Sequence, residues 1–458
     1  MTRPTTTAPP RSQVGLTIGL CTAVVAVAFE VISVATAMPA AARDLDGLDL
    51  YAWAFSLFLI GQLFATVAAG RVCDRIGPAR PMAGGVGLFA VGLVVAATSA
   101  TMLQLVVGRL LQGLGAGVVS IAMYVVIARA YDESQRPTMF SYISSAWVLP
   151  SFVGPSVSAW LTHQVGWRSV FWSVLPVLAV GAAMMLPRVF AVADGPPEGE
   201  PVARPGVLVA AALAAVGAAG IQAAGQRLGL TGLLLGVAGL VAVGVSLPRL
   251  MPPAFFRFRP GLSPVVVVRA LIAGTFFGSE AFVPLMLVEQ RHLSLLLAGS
   301  TLTVGALGWS TGSWVQSRRW LRIGRNRVIT VGAVLVAGGI GLVTLVTWQR
   351  WWVGLVALAW VLAGLGMGMA MAGTSLATMT LSRSGEEGRN ASSLQFGEAF
   401  GAGVLVGIGG TVFAALHDER SLTVTFGSVF LVMLVVGVLA VLVSLRVGPV
   451  RSPAPSQG

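Results

Sequence analysis

Residues 51–80 read YAWAFSLFLIGQLFATVAAGRVCDRIGPAR. The part up to position 71 is almost wholly apolar and, at 1.5 Å per helical residue, long enough to cross about 30 Å of hydrocarbon. Charge then arrives abruptly, with Arg71, Asp74, Arg75 and Arg80 close together. Such a step marks the passage of a helix from lipid into water, and it recurs along the whole chain.

The 458 residues are 56% hydrophobic and 10% charged, with 57 glycines and a mean hydropathy of +0.85. A soluble protein of this length would need far more polar side chains to cover its surface, so a soluble enzyme is excluded. Fourteen stretches are apolar enough to span: 15–38, 51–71, 81–100, 103–129, 138–162, 168–187, 206–224, 229–247, 264–288, 297–316, 328–347, 352–378, 392–416 and 422–446. They are continuous runs without the ten-residue alternation of a membrane barrel, which predicts helices. The first has Arg3 and Arg11 before it and Ala40-Ala41-Ala42 after it, as a signal peptide would. It is too long for one and contains Glu30, so it is read as an uncleaved first helix. The seventh and eighth are the least marked, and a twelve-span chain with a middle hairpin is the alternative.

With the amino terminus in the cytoplasm, twenty-two arginines, Arg269 among them, are assigned to the inner side. Six fall outside, Arg43, Arg168, Arg227, Arg291, Arg350 and Arg420, and Arg109 lies within a span. This asymmetry predicts both termini cytoplasmic and accounts for the formal charge of +12 without a nucleic-acid partner. Asp194-Gly-Pro-Pro-Glu-Gly-Glu-Pro is an acidic Pro/Gly linker after six spans. A second inner connection, Pro248 to Pro264, interleaves Phe255, Phe256 and Phe258 with Arg257 and Arg259, which suits the headgroup interface.

Cys21 and Cys73 lie in a span and a polar loop and form no disulfide framework. His163, His292 and His417 fall in short connections and are read as solvated loop residues, so no metal site is expected. No phosphate-binding Gly-Lys signature appears, and no cofactor or nucleotide is expected to drive the protein.

Gly70-Arg-Val-Cys-Asp74-Arg75-Ile-Gly77-Pro-Ala-Arg80 resembles the loop signature of the major facilitator superfamily, in which this loop latches the cytoplasmic side of the two halves. Gly70, Asp74, Arg75 and Gly77 match, Pro78 and Ala79 replace two basic residues, and Arg80 supplies one charge a place later. Gly70 is expected to allow close helix approach and Asp74 to hold an arginine or a helix amino terminus. Leu105-Val-Val-Gly-Arg109-Leu-Leu-Gln112-Gly113-Leu-Gly115-Ala116-Gly117 resembles the family's fourth-span motif, whose arginine is linked to proton transfer; snorkelling to the outer interface is the alternative for Arg109. Gly154-Pro155-Ser-Val-Ser158-Ala159 resembles the family's antiporter motif, with Ser158 and Ala159 standing where it has glycines. Glu30-Val-Ile-Ser-Val-Ala-Thr-Ala-Met-Pro39 resembles the opening motif of the fourteen-span drug:proton antiporter branch, with Glu in place of Asp. The second-half loop at Arg318-Arg319-Trp-Leu-Arg322-Ile-Gly324-Arg325 echoes the first.

The resemblance implies an all-α polytopic membrane protein of major facilitator fold, two six-helix bundles plus two extra central helices. Its expected parts are a cytoplasmic tail 1–14, a bundle 15–187, a cytoplasmic linker 188–205, an extra helix pair 206–247, an interfacial linker 248–263, a bundle 264–446 and a cytoplasmic tail 447–458.

Three carboxylates lie well within spans: Glu30, Glu280 and Glu398. The first two are expected at equivalent depths in the two halves, with Arg109 level with Glu30. A carboxyl in hydrocarbon tends to stay neutral while a nearby arginine favours its charged form, so such a pair can load and release a proton; a structural ion pair is the alternative. Glu280, between aromatics and glycine, is expected to bind protons or attract a cationic substrate, and Glu398 to bind protons or to be a packing hydrogen bond. Trp147, Phe276, Phe277, Met367 and Met371 are candidates for an adaptable cavity wall, against ordinary helix packing for each singly.

The expected activity is proton-coupled export of small amphipathic, often cationic, compounds by a monomer in the inner membrane of a bacterium, with the proton gradient as energy source. The alternative on the same fold is a dedicated exporter or flippase of a lipid or endogenous metabolite. A membrane enzyme or receptor would need a catalytic cluster or a sizeable extramembrane domain, and neither is present in the sequence.

Overall fold

In the lipid core every backbone donor and acceptor must be satisfied within its own segment, and the chain answers with helices. The computed structural model describes residues 11–132, 135–193, 206–227, 230–252, 255–316, 324–382 and 387–450. Among them are fourteen long helices, one of which is continued by a short one. In order they are α1 (Arg11–Asp44), α2 (Trp53–Ile76), α3 (Ala79–Ala97), α4 (Met102–Ala130), α5 (Arg136–Gln164), α6 (Arg168–Ala193), α7 (Val207–Gly225), α8 (Leu230–Leu250), α9 (Leu262–Glu280), α10 (Val283–Glu289), α11 (Leu295–Gln316), α12 (Arg325–Val346), α13 (Leu355–Leu381), α14 (Glu387–Leu416) and α15 (Leu422–Ser444). The acidic linker, the second-half loop arginines Arg318, Arg319 and Arg322, and the chain ends lie outside the described residues.

Twelve spans have both the length and the apolarity to cross a membrane. The other two long helices, α5 and α11, have 29 and 22 residues but carry several serines and threonines. They pack on each other, and Thr303 Oγ1 of α11 donates to the Phe152 carbonyl of α5 at 3.4 Å. Part of their polarity is thereby spent inside the protein, where lipid does not penalise it.

Local chemistry sets the ends. Gly77 adopts φ +80°, which a residue with a side chain resists, and its N–H donates to the Cys73 carbonyl to close α2. The hydroxyls of Thr101 and Ser421 cap α4 and α15 by accepting from the N–H of Gln104 and Val424. The expected ninth span is interrupted: α9 stops at Glu280, and Pro284, at the start of α10, has no N–H for the Glu280 carbonyl.

Two six-helix sets repeat one packing scheme. In the first, α2 packs on α4, α3 on α4 and α6, and α1 on α5 and α6; in the second, α11 packs on α13, α12 on α13 and α15, and α9 on α14 and α15. The repeat reaches individual residues. Gly113-Leu-Gly115-Ala-Gly117 on α4 is matched by Gly364-Leu-Gly366-Met-Gly368 on α13. A Cβ on Gly113 would stand 2.1 Å from the Phe58 carbonyl oxygen of α2, and one on Gly364 2.1 Å from the Gly305 carbonyl oxygen of α11. Only hydrogen fits at either crossing.

The extra helices α7 and α8 pack on each other, and α7 also lies against α2 and α14, one helix from each set. Gln226, after α7, accepts from Trp53 Nε1 at 2.7 Å and donates to the Asp49 carbonyl at 3.0 Å. The turn after α7 therefore stands at the same end as the loop after α1, and α7 and α8, of 19 and 21 residues, are each long and apolar enough to cross a membrane. We call this the Asp49 end and the opposite one the Asp74 end.

Candidate functional site

Glu30 projects from the middle of α1 and Arg109 from the second turn of α4, and they meet in a dry place. Their side chains are 0% and 3% exposed and form an ion pair between Arg109 Nη1 and Glu30 Oε1. Arg109 Nη1 also donates to Gln112 Oε1 at 2.6 Å, Nε donates to the Ala54 carbonyl at 2.9 Å, and the guanidinium lies 4.4 Å above the Phe58 ring. The arginine thus joins α1, α2 and α4 and does not snorkel, the outcome expected of a charge that must find partners when it is kept from water. Glu30 is held by one oxygen. Its Oε2 is buried without a hydrogen-bond partner.

The second half puts something else in this position. By the matched glycines, the counterpart of Arg109 is Trp360, four residues before Gly364 as Arg109 is four before Gly113. Trp360 is fully buried and stacks on Phe276 of α9 at 5.3 Å, while Phe276 meets Trp309 edge-on at 5.7 Å. An aromatic stack replaces the ion pair, so the expected equivalence of Glu30 and Glu280 does not hold. Glu280 sits about one turn beyond Phe276, at the last residue of α9, where the helix breaks. It is half-buried and makes no hydrogen bond or ion pair among the described residues.

A second ion pair is one that charge counting misplaced. Arg269, assigned to the inner side, is buried in α9. Its Nε and Nη2 donate to Glu398 Oε2 of α14 at 2.9 and 2.6 Å, and Nη1 donates to the Met371 carbonyl, Thr374 Oγ1 and Ser375 Oγ of α13. The available signal was its place in the proposed span: five residues inside, an arginine needs a buried acid.

Asp74, Arg75 and Arg80 are exposed at the Asp74 end, and Asp74 has no hydrogen bond or ion pair among the described residues. The close approach expected at Gly70 is not made, since an added Cβ would meet nothing within 4 Å. Gly154 and Pro155 lie where α5 crosses α1: Ser33 Oγ donates to the Gly154 carbonyl at 3.3 Å, and Ser158 Oγ, which stands in a glycine's place, donates to the Ser33 carbonyl at 2.7 Å. Ser33 is one turn from Glu30. Trp147 is 41% exposed on α5, Phe277 half-buried, and Phe276, Met367 and Met371 are buried.

Contacts between the two sets gather at the Asp49 end. Arg43 pairs with Glu289, the Tyr51 hydroxyl donates to the Ala281 carbonyl at 2.7 Å, and Asp49 Oδ1 lies 3.5 Å from His417 Nε2. Toward the Asp74 end an apolar groove of about 380 Å³ opens along Thr17, Ile18, Cys21, Thr22 and Val25 of α1 and Tyr142 of α5.

The chain matches the Major Facilitator Superfamily over residues 18–321 and belongs to that superfamily of membrane transporters; it is not an enzyme. An uncharacterized MFS-type transporter of Mycobacterium tuberculosis is 27% identical over 405 residues, which are 84% of this chain, and the chain spans 57% of that relative's length. A probable multidrug-efflux transporter of the same organism is 27% identical over 351 residues, 73% of each chain. Among solved structures, a POT family transporter in complex with a thioalcohol conjugated peptide is similar with a TM-score of 0.69 at 14% identity, over 95% of this chain and 96% of that one. At that identity the likeness is one of fold alone.

Proposed function

We propose that this transporter exports small amphipathic, often cationic, compounds in exchange for protons, by alternating access. The observation that carries it is Glu30, bound to Arg109 through one oxygen and left with a second, buried oxygen free. A carboxyl in that state accepts a proton at Oε2 without giving up its place, and loses it again when the arginine's charge prevails. Ser33, through which α5 grips α1, is one turn away, so a shift of α5 during reorientation reaches the proton site directly.

Phe277 and Trp309, the partly exposed rings that meet at 6.3 Å over the buried Phe276–Trp360 stack, suit flat apolar substrates, and Glu280, unpaired among the described residues, suits a positive charge. The multidrug-efflux relative supports that substrate class. The arginine distribution orients the Asp74 end to the cytoplasm of a bacterium, with both termini inside and the monomer as the working unit. The conformation is then one closed outside, in which substrate enters from the cytoplasm.

The test is counterflow in proteoliposomes. A fluorescent lipophilic cation should be driven against its gradient by an imposed proton gradient, and adding it to purified protein in weak buffer should release protons. Uptake that ignores the proton gradient sinks the coupling. Release provoked only by a lipid or an endogenous metabolite transfers the site to the dedicated exporter or flippase.

A further inference from the structure

We propose that Asp49, His417 and Asp418 form a binding site for a divalent transition-metal ion that bridges the two halves at the Asp49 end and holds that end closed. His417 follows the last residue of α14, and its ring stacks on Phe413 at 5.0 Å. Its Nδ1 lies 3.2 Å from the Ala414 carbonyl, and since a carbonyl only accepts, Nδ1 carries the hydrogen. In the neutral ring the lone pair is then on Nε2. That atom stands 3.5 Å from Asp49 Oδ1 and 3.2 Å from Asp418 Oδ1.

Three acceptors face one another, all within 4.8 Å. His417 is largely buried and the two aspartates are exposed, so a cation from solvent can reach all three acceptors. Donors at about 2.0–2.2 Å from a tetrahedral ion stand about 3.3–3.5 Å apart, which is the spacing of Nε2 from the two carboxylate oxygens. The hydrogen bond from Nδ1 to a backbone carbonyl is the usual support of a metal-ligating imidazole, because it fixes tautomer and ring plane. A nitrogen donor favours zinc, nickel or cobalt over calcium or magnesium.

Placement gives the site its consequence. Asp49 belongs to the first half and is anchored by its carbonyl to Gln226 of the extra helix pair, whereas His417 and Asp418 belong to the second half. An ion bound to all three ties the halves where Arg43 and Tyr51 already join them. Its affinity is highest in the conformation closed at this end, and by mass action it retains that conformation. That this end faces outward rests on the proposed orientation; the binding itself does not.

The experiment titrates cobalt and zinc into purified full-length protein, reading the cobalt visible spectrum and the heat of zinc binding. The wild type should give a tetrahedral cobalt band that zinc displaces and calcium does not. His417→Gln and Asp49→Asn, each checked for an unaltered size-exclusion profile, should bind about tenfold more weakly or worse. Zinc outside proteoliposomes should slow turnover of the wild type and lose this effect in both variants. Undiminished binding by Asp49→Asn would show a site within one half and overturn the bridge. Zinc binding without any effect on turnover would overturn the lock. If His417→Gln instead changes only the pH profile of transport and no metal binds the wild type, the carboxylates hold a protonated imidazole and the proposal is wrong. Binding is read without substrate or proton gradient, so its failure is distinct from failure of the exporter reading.

Discussion

Glu398 takes both Nε and Nη2 of Arg269 on a single oxygen, while Nη1 of the same arginine is held by α13. One guanidinium therefore ties three helices of the second half, as Arg109 ties three of the first. The two sites differ in water. Glu30 is sealed, whereas the Glu398 side chain is 24% exposed and its arginine 9%. A sealed acid can be reached only when helices move, which suits coupling; a wetter one keeps its partner at modest cost, which suits a permanent brace.

That difference sets an asymmetric outcome for the brace. Arg269→Met removes the cation from all three helices and leaves the Glu398 carboxylate without its donor, while the Met371 carbonyl still accepts from the Thr374 and Ser375 hydroxyls, so stability should fall by about 3–5 kcal/mol. Glu398→Gln keeps a neutral acceptor in place, and because the acid is partly solvated the loss should be about 1 kcal/mol. Thermal unfolding in detergent, followed by tryptophan fluorescence, measures both. Equal losses would make Glu398 the structural member of the pair.

The matched glycines give a packing test. In Gly113→Ala the new methyl meets the Phe58 carbonyl oxygen at 2.1 Å, and α2 and α4 must part. A loss of about 1–3 kcal/mol and a lower yield of inserted protein should follow. Gly70→Ala, whose methyl meets nothing within 4 Å, should stay within about 0.5 kcal/mol of the wild type. Unfolding curves of the two variants side by side decide it.

How much of this was legible beforehand depends on the range of the interaction. Length and apolarity act locally, and they marked the fourteen long helices, including α5 and α11, whose serines and threonines bring them below the apolarity of the others. Glu30 and Arg109 were legible because each is a charge in hydrocarbon and they lie at one depth. Arg269 stands five residues inside a proposed span, which marks a charge in need of an acid, but counting it with the loop arginines passed over that, and the acid it meets is 129 residues away in sequence, beyond any local pattern. The false pairing of Glu280 with Glu30 came from measuring depth along an unbroken helix, when Pro284 breaks it. The glycine pattern on α4 and α13 carried the true register and was available in the sequence.

Asp74 tests the latch. It has no partner among the described residues in a conformation joined at the opposite end, which suits a contact made only in the other state. Asp74→Asn should then leave thermal stability unchanged and lower turnover several-fold, because only the alternate conformation loses a contact. Wild-type turnover by a normally inserted Asp74→Asn protein would remove the latch.

Glu280 tests recognition. It has no cation of its own among the described residues and stands beside the Phe276 stack. Glu280→Gln should weaken binding of lipophilic cations about tenfold while leaving neutral analogues within about twofold, since only the former lose a charge partner. The readout is competition between a charged and an uncharged dye of similar shape. An unchanged ratio would show that Glu280 does not face the substrate.

Glu30 tests coupling, and the geometry separates two effects that a less conservative change would mix. Gln in place of Glu30 keeps an oxygen for Arg109 Nη1, and the remaining partners of the arginine, the Ala54 carbonyl and Gln112 Oε1, are untouched. The variant leaves the buried Arg109 charge on neutral oxygens alone, so stability should fall by about 3–5 kcal/mol, and an unaltered size-exclusion profile checks that it folds. An amide cannot take up and release a proton in this range, so accumulation of a lipophilic cation against its gradient should collapse to a ratio of about 1, the value for two sites no longer linked. Binding of that cation in detergent should persist, because Glu280 and the aromatic stack are intact. Proton release on substrate addition should vanish in Glu30→Gln and survive in Glu398→Gln. Release that survives in Glu30→Gln but vanishes in Glu398→Gln would move the proton site to the second half and make the Glu30–Arg109 pair the brace.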